Sequence, residues 1–307
     1  MRSSISNVAD DHFVMRTRIT IKAPAKLNLT LEVVGKLPNG FHRFRSVLVK
    51  LDKLADVIDI QIGADTEGIT ISSDAADLPV DERNICYQAT RNYLRAIGQA
   101  VGVHLHIHKR IPIAAGLGGG SSDAASVLVA LNEHFKQRLS KGEVEAIGSS
   151  LGKDIPFFLG QSQTGYVSEA GEKVRALPAL PAQAHFLIVN PRIPISTKDA
   201  YQSVSQHVWF MPNENRADIS GRMAGAIKSS DIAMIAGALF NDFESVTEHL
   251  HPVIKEVKQA LIAFGANGAL MSGSGSSIFG LFKSKKALST AAAALRARYP
   301  EFIIKNV

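Results

Sequence analysis

Cysteine is nearly absent from this chain: Cys86 stands alone in 307 residues, so no disulfide can form within one copy and a reducing compartment is expected. Tryptophan is as scarce, with Trp209 the single example. No apolar run approaches the roughly 18 residues that a membrane span needs. The first residues, with Asp10, Asp11 and His12, lack the apolar centre of a signal peptide. A cytoplasmic protein without a membrane partner is the expectation. Acidic excess is missing too, since 34 Lys and Arg against 28 Asp and Glu leave a net charge of +6. The surplus is scattered, its densest groups being Lys109-Arg110 and Lys283 to Lys286, with no aromatics interleaved. That argues against a nucleic-acid partner, and a basic balance suits small anionic substrates.

What is present is an ordinary globular composition, 46% hydrophobic and 20% charged, in a chain long enough for two domains. Residues 1–15 are polar and unpatterned and read as a loosely ordered tail. The most informative stretch is Pro112, Ile113, Ala114, Ala115, Gly116, Leu117, Gly118, Gly119, Gly120, Ser121, Ser122, Asp123. Its four glycines within five positions let a backbone turn tightly and a ligand approach the N–H groups. Behind it, Ala124, Val127, Leu128 and Leu131 recur at helical spacing, which predicts a helix from Asp123 to Phe135. The loop then ends at a helix N-terminus, where unpaired N–H groups and the dipole favour a phosphate, and the serines can cap the helix. A Walker A loop would need a lysine after the glycines, and a dinucleotide fingerprint finds Ser121 where its third glycine belongs. A plain glycine-rich surface turn is the alternative, disfavoured by the strand-like run before the loop and the helix after it.

Other segments place further candidates. Leu27, Leu29, Leu31 and Val33 alternate with polar residues, so Lys26 and Asn28 share the face opposite the leucines. Asn39-Gly40 is a hairpin signal between this strand and one from Phe44 to Leu51, putting Phe41 and His42 where the chain returns. A helix is predicted between Asp81 and Gly98, with Asn84 near its start. In the strand Val101 to Arg110, His104, His106 and His108 share a face; their spacing of roughly 7 Å suits exposure better than a tetrahedral metal site, and no acidic neighbour is evident. Ser140 and Glu143 form a capping box for a helix that Gly152 ends, and Pro156 is expected to stop it from continuing past Asp154. Strands are predicted at Thr164 to Val167 and His185 to Asn190, and helices at Asp231 to Leu250, Pro252 to Phe264 and Lys285 to Arg296. Gln202 to Arg222 is poorly patterned and reads as a loop over the site. Ser272 to Ser277 joins two short apolar runs and reads as a turn able to offer N–H groups to an anion.

The glycine stretch resembles the second motif of the GHMP kinases, a superfamily of small-molecule kinases. Ala23 to Leu31 with Pro38 to His42, Gly152 to Pro156 and Gly273 to Ser277 resemble the family's other motifs in the right order. The likeness is strongest to members acting on a cytidine-diphosphate sugar alcohol. It implies an α+β fold of two domains, residues 1–160 like ribosomal protein S5 and residues 161–307 a ferredoxin-like α/β unit, with the active site in the cleft between them. ATP and Mg²⁺ are implied at the loop, Pro112 to Ser122, with Asn84 and Lys109 near the adenine. Lys26 and Asp154 would be catalytic, with Asn28 beside them. Phe41 and Tyr201 would sandwich the cytosine and His42 would bond its edge, such stacking being worth about 1–3 kcal/mol per base. Gly273, Ser274, Gly275 and Ser276 would hold the substrate's diphosphate. No metal ligand is assigned. Ala114 and Ala115 stand where glycine occurs in other members. Two rivals stay open: a homoserine or mevalonate type of kinase, and a non-catalytic binding module on the same fold.

Overall fold

The computed structural model describes residues 17–36, 42–63, 68–195 and 217–307. The N-terminal sheet is built on one long hairpin. Its strands β1 (Thr17–Lys36) and β2 (His42–Ile62) pair antiparallel with Lys36 opposite His42, as expected around Asn39-Gly40. Residues 37–41, Phe41 among them, lie outside the described residues. The far half of β2 pairs with β4 (Val103–His108), which pairs in parallel with β3 (Ile69–Ser73). The near half pairs with β5 (Thr164–Glu169), which carries β6 (Lys173–Leu177) at its edge.

The leucine alternation in β1 holds only in part. Asn28 pairs with Leu48 and Thr30 with Val47, so Leu29 is an extra residue, a β-bulge. An extra residue resets the alternation: Leu27 and Leu29 enter one core, with Phe186 and Phe279, whereas Leu31 and Val33 enter the other, with Tyr93 and Phe243. The polar face is buried too, since Lys26, Asn28, Thr30 and Glu32 have almost no exposure. Over residues 25–34, β1 is therefore interior on both sides, and its polar residues there must be satisfied by other elements.

Helix α1 (Ile85–Ala96) is capped by Asn84, whose side chain accepts from the Cys86 N–H. After it come α2 (Gly119–His134), α3 (Lys141–Leu151) and α4 (Ile155–Leu159). The Ser140–Glu143 capping box opens α3 and Gly152 closes it. Pro156 does not simply halt the chain: it sits in the first turn of α4, where its missing N–H costs nothing.

The first sheet thus continues past residue 160, and the passage to the second falls between Leu177 and His185. That second sheet, all antiparallel, has the order β11 (Ile303–Asn306), β7 (His185–Asn190), β10 (Ile278–Phe282), β9 (Gly268–Met271). Helices α8 (Val253–Ala263) and α9 (Lys285–Arg298) pack on it. The helix expected over Asp231 to Leu250 is three elements: α6 (Ile232–Gly237), the two-residue β8 (Phe240–Asn241) and α7 (Glu244–Leu250). Strand β8 returns to pair with β1, joining the C-terminal half to the first sheet. Helix α5 (Ile219–Ser229) contributes Met223 and Ile227 to the same core as Leu27, so the halves share a continuous apolar contact. This two-part α+β arrangement is the expected fold. No helix among the described residues is long and apolar enough to cross a membrane.

Candidate active site

The glycine stretch runs from the end of β4 into α2, and the helix begins earlier than its periodicity indicates. Gly119 is already helical, so Gly119 to Ser122 form the first turn, and the cap is Gly118 in the left-handed conformation at φ 71°. No serine side chain caps the helix. Its first-turn N–H groups are thereby left without a side-chain acceptor, the condition for an anion site. Two glycines are obligatory. A Cβ on Gly116, itself at φ 75°, would lie 2.1 Å from the Ser272 carbonyl oxygen, and one on Gly118 would lie 2.8 Å from Lys26 Cγ. The loop is pressed between the third motif and β1, and only glycine fits.

Hydrogen bonds join these parts. Ser272 Oγ donates to the Gly116 carbonyl at 3.0 Å and accepts from the Asn28 N–H at 3.2 Å. The Ser277 N–H donates to the Ala115 carbonyl and the Lys26 N–H to the Leu117 carbonyl. Asn241 donates to the carbonyls of Met271 and Gly273, both at 2.8 Å, holding the third motif from behind. Within that motif the N–H groups of Gly275 and Ser277 are engaged, and Ser276 Oγ donates to the Ile193 carbonyl. Gly273 and Ser274 reach the cleft; Gly275 and Ser276 do not.

Lys26 and Asp154, distant in sequence, meet at 3.4 Å with side chains 5% and 30% exposed. Lys26 also donates to Asn28 Oδ1, and the Asn28 amide donates to Ser46 Oγ at 2.9 Å. This orients Asn28 and leaves the ammonium directed at Asp154. Asp154 precedes α4 in the N-cap position but makes no capping bond, so its carboxylate stays turned to the cleft.

That cleft has a volume of about 900 Å³. It gathers Lys26, Asn28, His42, Lys109, Pro112 to Ser121, Asp154, Gly273 and Ser274. Phe44 and Phe243 line it as well, unannounced as site residues, as does Lys153, which stands within the Gly152 to Pro156 motif without having been singled out. Asn84 is not on the wall: it is buried, with its amide donating to the Pro79 carbonyl, and its neighbour Ile85 faces the cavity instead. Ser122 is buried behind the wall with Oγ unpartnered. Tyr201, like Phe41, lies outside the described residues.

Lys109 reaches the cleft wall, yet its ammonium is taken by two carboxylates, Asp56 and, at 2.8 Å, Asp123. Burial pushes the Asp123 carboxyl up to about 7, against the opposing pull of Lys109. Burial alone would lower Lys109, but the two aspartates outweigh it and hold it above the usual lysine range. Asp56 also accepts from the N–H groups of Arg110 and Ile111. Neither aspartate was among the expected site residues. Asp123 directly follows Ser121-Ser122, and Asp56 interrupts an apolar strand; those were the available signals.

The histidine face is tied to neighbouring strands and turns by its side chains. His104 bonds to Thr70 and Ser72, His106 to Ser72, and His108 faces Asp59 at 3.2 Å and Asp74 at 3.5 Å. Acidic neighbours therefore exist, brought by β2 and the turn after β3. Among the described residues no three His, Cys, Asp or Glu side chains are grouped to hold a metal ion.

Comparison with known proteins agrees with this geometry. The model of the GHMP kinases N terminal domain matches residues 84–161 and that of the GHMP kinases C terminal domain residues 223–301. A 4-diphosphocytidyl-2-C-methyl-D-erythritol kinase from Geobacter metallireducens is 38% identical over 286 residues, 93% of this chain and 97% of that one. A crystal structure of 4-(cytidine 5'-diphospho)-2C-methyl-D-erythritol kinase superposes with TM-score 0.75 at 31% identity, covering 94% of this chain and 98% of that one. Homoserine kinase from Cytophaga hutchinsonii superposes with TM-score 0.71 at 20% identity over 99% of this chain and 96% of its own, which speaks for the fold alone. The chain belongs to the GHMP kinases, and so to the phosphotransferases, in the branch whose curated members are 4-diphosphocytidyl-2-C-methyl-D-erythritol kinases.

Proposed function

We propose that the chain transfers the γ-phosphoryl group of ATP to the 2-hydroxyl of 4-diphosphocytidyl-2-C-methyl-D-erythritol, a step of non-mevalonate isoprenoid precursor synthesis in the cytoplasm. The observation that carries the chemistry is the Lys26–Asp154 contact at 3.4 Å, in the same cleft as an anion-binding turn. The substrate is inferred from relatives of that name, at 34–39% identity across most of the chain.

Phosphoryl transfer asks for positioning and charge stabilisation more than covalent chemistry. The first turn of α2 would receive phosphate oxygens on its N–H groups. Asp154 is too weak a base to deprotonate an alcohol in advance, so its role is to orient the hydroxyl and take its proton as the new bond forms. Lys26, fixed by Asn28, would steady the incoming oxygen. His42 and Phe44 on the cleft wall mark the side from which cytosine would be read, with Phe41 and Tyr201 as its stacking partners.

Mg²⁺ belongs to the same proposal. With no cluster of three ligating side chains among the described residues, the ion would be held chiefly by nucleotide phosphates and water, as suits a hard cation reluctant to dehydrate. It would supply neutralisation of the phosphate charge.

The decisive experiment measures ADP release with Mg-ATP against the diphosphocytidyl-methylerythritol, mevalonate, homoserine and galactose. Turnover confined to the first is expected, and turnover confined to another alcohol would overturn the substrate assignment. Phe41→Ala should then raise KM for the cytidine compound by about tenfold or more, the worth of one stacked base, with KM for ATP unchanged. An unchanged KM for the cytidine compound would remove Phe41 from the site.

A further inference from the structure

We propose that Asp123 is a positioning residue for the nucleotide phosphates, acting through Lys109, and that it gives up its negative charge to a solvent proton when phosphate occupies the glycine loop. The inference rests on the kinase reading only for the identity of the ligand.

Its geometric basis is the place of Lys109. The Lys109 ammonium bridges Asp56 on β2 and Asp123 on α2, with all three side chains almost sealed: 6% exposure for Lys109, 0% for Asp56 and 2% for Asp123. Asp56 holds the backbone of Arg110 and Ile111, where the chain enters the loop, and Asp123 stands on the helix by which it leaves. One ammonium therefore closes the mouth of the loop. It also stands directly behind the first helical residue: a Cβ added to Gly119 would lie 3.2 Å from Lys109 Nζ. Fixing that turn before the ligand arrives reduces the ordering that binding must supply.

The charge count is unbalanced. Two carboxylates share one ammonium, which leaves one negative charge beneath a turn built to receive anions. Asp123 Oδ1, moreover, is buried without a hydrogen-bond partner. A carboxylate oxygen buried without a partner is costly, and a proton is the smallest remedy. A phosphate above the turn brings further negative charge and so favours the protonated cluster. The other groups around α2 are accounted for. The Cys86 thiol of α1 is buried and pushed up by that burial and by Asp123, so it stays neutral. Lys26 of β1 lies against Gly118, and Ser121 Oγ lies beside Gly152, next to Asp154. That pair serves the far side of the loop and leaves the charge behind it unchanged. Burial already places Asp123 at about 7, where a nearby anion can change its occupancy.

Calorimetry of Mg-ATP binding, without any alcohol acceptor, tests this in two buffers of different ionisation enthalpy near about pH 7.5. Magnesium-bound ATP is fully ionised there, so it contributes no proton of its own. Uptake on the order of half a proton per nucleotide is expected, with none for adenosine, which lacks phosphate. Asp123→Asn, which holds the neutral form permanently, should abolish the buffer dependence and bind Mg-ATP no more weakly than wild type near about pH 7.5. Binding with equal heats in both buffers overturns the proposal from the wild-type protein alone, whatever the variant does. Equal uptake with adenosine, or undiminished uptake in Asp123→Asn, overturns it as well. Absence of ATP binding would instead remove the kinase reading and this inference together.

Discussion

Two lysine–aspartate sites bear on one cleft, and they differ in exposure to solvent. Lys26 meets Asp154 at 3.4 Å with the carboxylate 30% exposed, whereas Lys109 meets Asp56 and Asp123 in a sealed site at 0% and 2%. The same residue types serve different ends because of that difference. A carboxylate that must greet an incoming hydroxyl has to stay open to the cleft, and Asp154 does so by leaving the cap of α4 unmade. A carboxylate that pins backbone gains from exclusion of water, since its bonds are then stronger and the cost of breaking them higher. Both sites bear on the glycine loop, one from the front and one from behind.

The largest effect should come from the open site. Asp154→Asn is expected to lower kcat by about 10²–10⁴-fold, the usual worth of a positioned base, with ATP affinity and melting temperature close to wild type. Steady-state kinetics beside a thermal melt checks both halves. Turnover within threefold of wild type would erase the distinction between the two sites.

The sealed site should fail in the opposite way. Lys109→Met strips the ammonium from two buried carboxylates, and loss of one partner in such a cluster costs about 3–5 kcal/mol of folding stability. Urea unfolding at neutral pH reads this directly. A loss below about 1 kcal/mol would place the cluster with ordinary surface pairs.

How far the two sites were legible in the sequence follows the same division. Local signals survived folding: the Ser140–Glu143 capping box, the strand His185–Asn190 and the hairpin around Asn39-Gly40 all rest on neighbouring residues. Lys26, Asp154 and the glycines were singled out because they sit in motifs, and the structure brings them into one cleft. The sealed site was legible only in its parts: Lys109 and Asp123 stand beside and within the glycine stretch, but their meeting with Asp56 does not follow from them. Asp56 and Lys109 are 53 residues apart, and nothing local marks their meeting. The bulge at Leu29, the two-residue β8 and the anchoring of the third motif by Asn241 are equally products of long-range pairing. Local reading placed the end of α3 before Pro156 but did not foresee that the same proline opens α4.

Gly116, in the loop on which both sites bear, offers a smaller effect. Gly116→Ala puts a methyl 2.1 Å from the Ser272 carbonyl oxygen at a backbone φ of 75°. Strain and forced displacement should cost about 2–3 kcal/mol in stability and raise KM for ATP, because the loop must back away from the third motif. Gly120, whose added Cβ would come no nearer than 3.7 Å to Ile85, is the control. Gly120→Ala should retain stability to within about 1 kcal/mol, and equal damage at the two positions would mean that the contact with Ser272 is not what demands glycine.

The last effect is a pH dependence carried by the sealed site. Folded Asp123 holds its proton up to about 7, whereas an unfolded aspartate loses it at about 4. Between those values the folded chain binds more protons than the unfolded one. The contribution of Asp123 to stability is therefore fully present below about pH 4 and is lost as pH rises through about 7. Asparagine cannot titrate, so Asp123→Asn should lose no such contribution. Its melting temperature should gain on that of wild type as pH is raised from about 5 to about 8 and then run parallel to it. Parallel profiles across the whole range would show that Asp123 is already ionised in the folded chain at acid pH, and that burial does not hold its proton in the sealed site.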